Sequence, residues 1–255
     1  DYVAVAVEVT SVNNKMFQGT VRFSSKPAGG AKQGPRLSGT DWATPTATST
    51  QSGRVRVSTT TNWDRDNRDL TYQLLRSDSA TPVDQVTTQS VWWQVGAVVL
   101  NDTTAAPGTN YTYTVKAVDA DGNSALSQPV SVTAAGGTGS DYANLVLNDR
   151  AELYYPLGSL GGNWAGGANP VVGSGVNNTS PGAVQGTTGA SASSFSGSTS
   201  GRVSSATSSK GDDNYAAEAW FKTNTTRGGK IFGYGTSQTG SSGTNDRNVY
   251  MLNNG

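Results

Sequence analysis

Residues 106–132 read APGTNYTYTVKAVDADGNSALSQPVSV. Pro107-Gly108 turns the chain, and Tyr111, Tyr113 and Val115 then alternate with polar neighbours. Asp119-Ala120-Asp121-Gly122-Asn123 turns it back into the alternating run PVSV. Period two between turn signals is the pattern of half-buried antiparallel strands. It recurs in YVAVAVEV (2–9), GTVRFS (19–24), GRVRVST (53–59), LTYQLLR (70–76), SVWWQVGAVVL (90–100) and AEAWFKT (217–223). The spacing predicts one helical turn, over SDYANLVLNDRAE (140–152), where Ser140 or Asp141 can cap and Tyr142, Leu145, Val146 and Asp149 fall at helical intervals. The chain therefore reads as all-β.

Composition narrows the chemistry. Among 255 residues, 18 Lys and Arg balance 18 Asp and Glu, so nothing in the net charge attracts nucleic acid or an anionic membrane. Apolar runs stay well short of the roughly 18 residues that a membrane helix needs. Cys is absent, which excludes disulfides, thiolate nucleophiles and Cys-ligated zinc; His is absent too, which excludes the Ser-His-Asp arrangement. Catalysis would fall to carboxylates, Tyr, Lys or a hard cation. The Thr/Ser/Gly/Asn richness matches exported surface proteins, at the extracellular or cell-surface location this implies. The chain opens on Asp1 with no signal-peptide pattern, so the expectation is an N-terminus missing or cleaved.

Three blocks emerge. Residues 1–34 read as a hairpin, with strands Tyr2–Val9 and Phe17–Phe23 about a turn near Asn13-Asn14-Lys15, followed by a linker in KPAGGAKQGP (26–35). Residues 35–135 carry strands at the spacing of a β-sandwich of ~100 residues. Residues 136–140 (GGTGS) form a flexible join to the block 141–255. That last block closes on DRNVYMLNNG (246–255), a strand followed by an Asn-Gly turn with no following strand. Large apolar residues are sparse from 158 to 214. The reading therefore expects strands beyond residue 255 to complete this layer, so that the rest of its own chain is one partner.

On these residues, block 35–135 resembles a fibronectin type III domain of actinobacterial secreted proteins, through NWDRDNRDLTYQLLR (62–76) and the Pro107-Gly108 corner. The resemblance implies a tyrosine corner at Tyr111. It also implies a core Trp near Thr59, a volume that Trp63 or Trp92 would fill, and a Leu where Ala105 stands. Block 141–255 resembles the laminin-G-like, concanavalin A-like lectin/glucanase jelly roll, most specifically in EAWFKT, GGKIFGYG and DRNVYM. The fold class is then a fibronectin III sandwich plus an incomplete jelly roll, preceded by a hairpin. That hairpin, EVTSVNNKMFQGTVRF (8–23), resembles the end of a β-propeller repeat, with Ala6 and Val7 where the repeat has glycines.

Candidate sites are few. Trp92 and Trp93, adjacent on an expected strand, should face opposite ways, one to the core and one free to stack on a sugar ring or a partner. Asp213, Asn245 and Asp246 are candidate Ca²⁺ ligands at a sandwich rim, although turns also demand Asp and Asn. Asp64, Asp66, Asn67 and Asp69 lack the Gly and distal Glu of a calcium loop and read as a solvated loop, and Asp119–Asn123 reads as a turn. Trp220 is expected inside. Glu218 has no second acid at spacing two or four, which argues against glucanase chemistry. The function implied is a non-catalytic adhesive or carbohydrate-binding spacer, with a carbohydrate or surface protein as partner. The alternatives are an accessory module of a polysaccharide-degrading or propeller-type enzyme and a phage tail or capsid adhesin, in which case the location is the virion.

Overall fold

A computed structural model describes residues 2–6, 10–12, 14–16, 19–24, 32–137, 140–158, 162–179, 182, 191–208 and 215–254. It is all-β apart from one short helix. Contacts divide the chain into two units: Asp1–Ala47, Val57–Thr104 and Thr109–Thr133 form one, and Thr48–Arg56, Ala105–Gly108 and Ala134–Gly255 the other.

The opening hairpin pairs β1 (Tyr2–Ala6) with β4 (Thr20–Ser24), from Tyr2↔Ser24 to Ala6↔Thr20. Between them lies a small ribbon of β2 (Ser11–Val12) and β3 (Lys15–Met16). Asn14 takes a φ of 62° there, the left-handed conformation that Asn tolerates in tight turns. Of the expected strand Tyr2–Val9 the described part is Tyr2–Ala6; positions 7–9, 13, 17 and 18 lie outside the described residues.

Strands β5 (Thr46–Gln51), β6 (Arg54–Thr60), β7 (Asp69–Arg76), β8 (Asp84–Gln89), β9 (Ala97–Asp102), β10 (Asn110–Val118), β11 (Ser124–Leu126) and β12 (Val130–Thr133) form two sheets. One runs β5-β6-β9. The other runs β11-β10-β7-β8, with β12 also on β10. This is an all-β sandwich of two antiparallel sheets. Alternation explains it: Tyr111, Tyr113, Val115 and Ala117 of β10 and Leu70, Tyr72 and Leu74 of β7 are buried while their neighbours are less so. The edge along β10 is shared by β11 and β12 because Pro129 has no amide to donate. Ser127 fills the gap, donating its amide to the Val115 carbonyl at 2.9 Å and accepting the Val115 amide on its hydroxyl at 2.9 Å.

Two anchors hold the sandwich. Trp42, ahead of β5, is 1% exposed, lies 6.1 Å from the Tyr72 ring, and donates its indole N–H to the Thr60 carbonyl at 2.9 Å. It fills the volume assigned above to Trp63 or Trp92, because the residues before the first strand fold back over the core. The second anchor is Asp102, with a side chain 0% exposed. It accepts from Arg76 Nη1 (2.8 Å), the Tyr113 hydroxyl (2.8 Å), and the Thr104 amide (2.7 Å) and hydroxyl (2.8 Å). Arg76 also bonds Asp78 at 2.6 Å and lies 4.7 Å over the Tyr111 ring. Charge-assisted bonds of this kind compensate the burial of an ion that would otherwise be expensive.

One expected strand forms only in part and another not at all. Within 90–100, Ser90–Gly96 leaves the sheet, with a tight turn at Val91–Gln94, and β9 starts only at Ala97. Residues 217–223 carry no strand. The linker reading also changes: residues 32–37 are tied to the sandwich, while 25–31 lie outside the described residues. Gln33 donates its amide to Asp66 (3.0 Å), Arg36 to the Trp63 carbonyl (2.9 Å), and Leu37 exchanges two bonds with the buried Asn62 (2.9 and 2.7 Å). Asn62 imitates a paired strand residue, which satisfies a backbone that has no sheet neighbour.

The second unit contains α1 (Asp141–Asn148), capped by Ser140, whose hydroxyl accepts the Ala143 amide. Ala143 and Leu147 are its buried residues. Beyond it come β13 (Val171–Val172), β14 (Val176–Thr179), β15 (Ala192–Phe195), β16 (Val203–Ser204), β17 (Gly229–Gly235) and β18 (Asn245–Met251). They pair as three antiparallel ribbons, β13-β16, β14-β15 and β17-β18. The last strand thus finds its neighbour upstream, through Gly229↔Met251 to Gly235↔Asn245. Among the described residues of 141–254 no sheet exceeds two strands.

The Asp102 anchor sets an acid response. Burial pushes its carboxyl up, but the bonds from Thr104, Arg76 and Tyr113 outweigh this and hold it below the ordinary range. The stabilisation it provides is whole above the unfolded value of ~3.9 and drains away as pH falls through the lower folded value. Unfolding titrations should show stability declining below about pH 4, with the decline blunted in Asp102→Asn. At neutral pH, denaturant titration of Trp42→Ala should show a loss of about 3–5 kcal/mol.

Candidate functional site

In the first unit the two most exposed aromatic residues follow the end of β8. Trp92 and Trp93 are 65% and 66% exposed, with ring centroids 5.6 Å apart and planes at 85°. Both indoles are in solvent. The expected split into one core and one surface Trp fails because the pair occupies the centre of a turn rather than a strand, so pleat alternation does not apply. Val95, 64% exposed, extends the apolar surface.

The turn is fastened on both sides. Gln94 donates its amide to the Val91 carbonyl at 3.2 Å, and Ser90 to the Arg68 carbonyl at 2.7 Å. The Gly96 carbonyl accepts from the Thr61 amide at 2.9 Å, and the Gly96 amide bonds the Thr61 hydroxyl at 3.0 Å. Val91 and Ser90 are buried beneath. Ser90 meets the Tyr72 hydroxyl at 2.7 Å, and that hydroxyl accepts the Asn62 amide at 2.8 Å. The result is two large rings on a backbone with little freedom to lose.

The neighbouring acidic loops are structural. Asp64 accepts the amides of Asp66 (2.7 Å) and Asn67 (3.3 Å) and is buried, so this is a side-chain-closed turn rather than the solvated loop expected. Asp119 accepts the amides of Asp121 (2.9 Å) and Asn123 (2.8 Å), with Gly122 at a φ of 89°, which makes 119–123 the turn anticipated. Among the described residues no three acidic side chains converge on a point where a metal could sit.

In the second unit, Asp213 lies outside the described residues. Asn245 and Asp246 are each occupied by a cation of the chain: Lys230 donates to Asn245 Oδ1 at 3.0 Å, and Arg247 pairs with Asp246 at 2.7 Å. Arg247 also caps the Tyr215 and Tyr234 rings, at 5.5 and 5.7 Å from their centroids. Fixed positive charge at both residues opposes the Ca²⁺ site expected there.

Sequence reasoning missed a second polar-aromatic group. The Trp220 indole N–H is shared between the Tyr142 hydroxyl and Glu218 Oε1, both at 2.9 Å, and Tyr142 donates to Glu218 at 3.3 Å. Burial, with Glu218 adding to it against the bond from Trp220, pushes the Tyr142 phenol up. Trp220 is 68% exposed, not inside as expected. Spacing two placed Glu218 and Trp220 on one face, but the arrival of Tyr142 from α1 is a long-range contact that no local pattern encodes.

The second unit also buries arginines. Arg54 reaches Asn148, and Arg56 lies among Glu152 and Arg150, with burial lowering it to about 10. Both are covered, so this strand is buried on both faces along Arg54–Val57.

No protein-family model and no curated protein matches the chain. Solved structures do. The sixth fibronectin type III domain of human fibronectin type III domain containing protein 3 aligns at 15% identity and TM-score 0.29, covering 45% of this chain and 98% of that one. The FN5 domain of Drosophila Lar aligns at 19% identity and TM-score 0.24, covering 40% of this chain and all, 100%, of that one. Astrotactin-2, a vertebrate-specific, perforin-like membrane protein involved in neuronal development, aligns at 15% identity and TM-score 0.29, with 50% of this chain but only 27% of that one covered. The chain is similar to these among others; its own strand pairings carry the fold.

Proposed function

We propose that the chain is a non-catalytic binding and spacer segment of an extracellular protein. In this reading the sandwich presents Trp92 and Trp93 as a stacking platform for the sugar rings of a polysaccharide. The observation that carries it is the fastened turn with two indoles in solvent. Exposed Trp is costly to leave unpartnered and adds contact area with few rotors to freeze. With planes at 85°, one ring makes a floor and the other a wall, a corner suited to the apolar face of a pyranose. Gln94 lies in the same turn and offers an amide to hydroxyl groups.

The absence of His and Cys, with Glu218 the lone acid on its face, supports binding rather than turnover. The surrounding sandwich supports the spacer role, because its loops are tied to one another by the bonds of Asn62, Thr61 and Ser90 rather than left to adapt.

Retention of the purified chain on insoluble cellulose, chitin and peptidoglycan tests this. The expected result is depletion from solution by at least one of the three, with Trp92→Ala and Trp93→Ala each weakening it about tenfold or more. Because both rings are exposed, each variant should unfold within about 0.5 kcal/mol of the parent chain. Equal retention of parent and double variant, or no retention of the parent on any of the three, would overturn the proposal.

A further inference from the structure

From Tyr215 to Thr226 the chain runs without a turn or bend, and the Glu218 and Trp220 side chains meet on one side at 2.9 Å. That contact is what extended backbone with a two-residue period makes. Among the described residues, no backbone amide or carbonyl between Tyr215 and Asn224 bonds another backbone group. Trp220 and Phe221 are 68% and 60% exposed. A segment without turn or bend, with apolar side chains and with backbone groups that pair with no other backbone among the described residues, is a template for an added strand.

The order of its residues selects the strand. Laid antiparallel on a second copy about Trp220, the segment sets Glu218 against Lys222 and, by the two-fold axis, Lys222 against Glu218. Phe221 meets the small Ala219, Ala217 meets Thr223, and the two Trp220 rings meet at the centre. Sliding the register by one or two residues in either direction separates both charge pairs, and a parallel in-register pairing puts Glu218 on Glu218. Lys222 is exposed and has no ion-pair partner among the described residues. We propose that residues 216–224 of two copies pair as antiparallel strands, forming a two-fold dimer held by free backbone groups and registered by two Glu218–Lys222 contacts. Opposite charges directly across a strand pair stabilise it, and like charges oppose it, so the device also excludes other registers.

Sedimentation equilibrium of the full chain tests this through charge reversal. The parent chain should dimerise reversibly. Glu218→Lys places four lysines across the axis and Lys222→Glu four glutamates, and each should weaken the dimer about tenfold or more. Lys222→Glu leaves the Tyr142–Glu218–Trp220 contacts in place, so its effect cannot be assigned to their loss. An equimolar mixture of the two single variants should associate as a heterodimer, and the double variant Glu218→Lys/Lys222→Glu should dimerise like the parent. A monomeric parent chain at several hundred micromolar would overturn the proposal. So would a dimer indifferent to both single reversals, or variants that do not recover on mixing.

Discussion

The buried carboxylate of Asp102 ties the sandwich across its layers. It sits at the end of β9 in the three-stranded sheet, and its acceptors are taken by Arg76 of β7 and Tyr113 of β10 in the five-stranded sheet. A carboxylate this deeply buried is tolerable only because four donors converge on it, so its position determines theirs. Arg76 in turn stacks on Tyr111, which secures the first residues of β10 just beyond the Pro107-Gly108 corner. The two sheets are therefore related by directional bonds as well as by apolar burial, which alone has no preferred geometry.

A second consequence follows for the loops. The Trp92–Trp93 turn leads directly into β9, and its base at Ser90 is joined through Tyr72 to Asn62. Asn62 also holds Leu37, and Trp42 packs on Tyr72. Tyr72 thus connects the core Trp, the segment ahead of β5 and the base of the exposed turn. Two rings in solvent can be displayed with little loss of order because their support is core, not loop. The acidic residues nearby serve turn closure, which removes the most obvious alternative use of that end of the sandwich.

The second unit obeys the same rules with a different outcome. Its ribbons are short because the intervening stretches are rich in Gly and Ser, which lose much entropy on ordering and bury little. Its apolar residues Trp220 and Phe221 remain on the surface, beside backbone groups that have no sheet neighbour among the described residues. That combination is costly in isolation and complementary to another strand.

Much was legible from local pattern. Alternation located β6, β7, β10 and β12, Ser140 marked the start of α1, and Pro-Gly and Asp-Gly signals marked the turns, because each depends on neighbours a few residues away. The errors share a cause. Trp92-Trp93 looks like strand but occupies a turn, since the segment must leave the sheet to reach β9; AEAWFKT has the residues of a strand yet pairs with no other strand among the described residues. Trp42 rather than Trp63 or Trp92 fills the core, and Tyr142 meets Trp220 from 78 positions away. Periodicity records which faces of a strand differ; it carries nothing about which distant residue arrives to cover a face or pair an edge. Those are decided by packing, where the free energy of a side chain depends on neighbours brought together only by the folded chain.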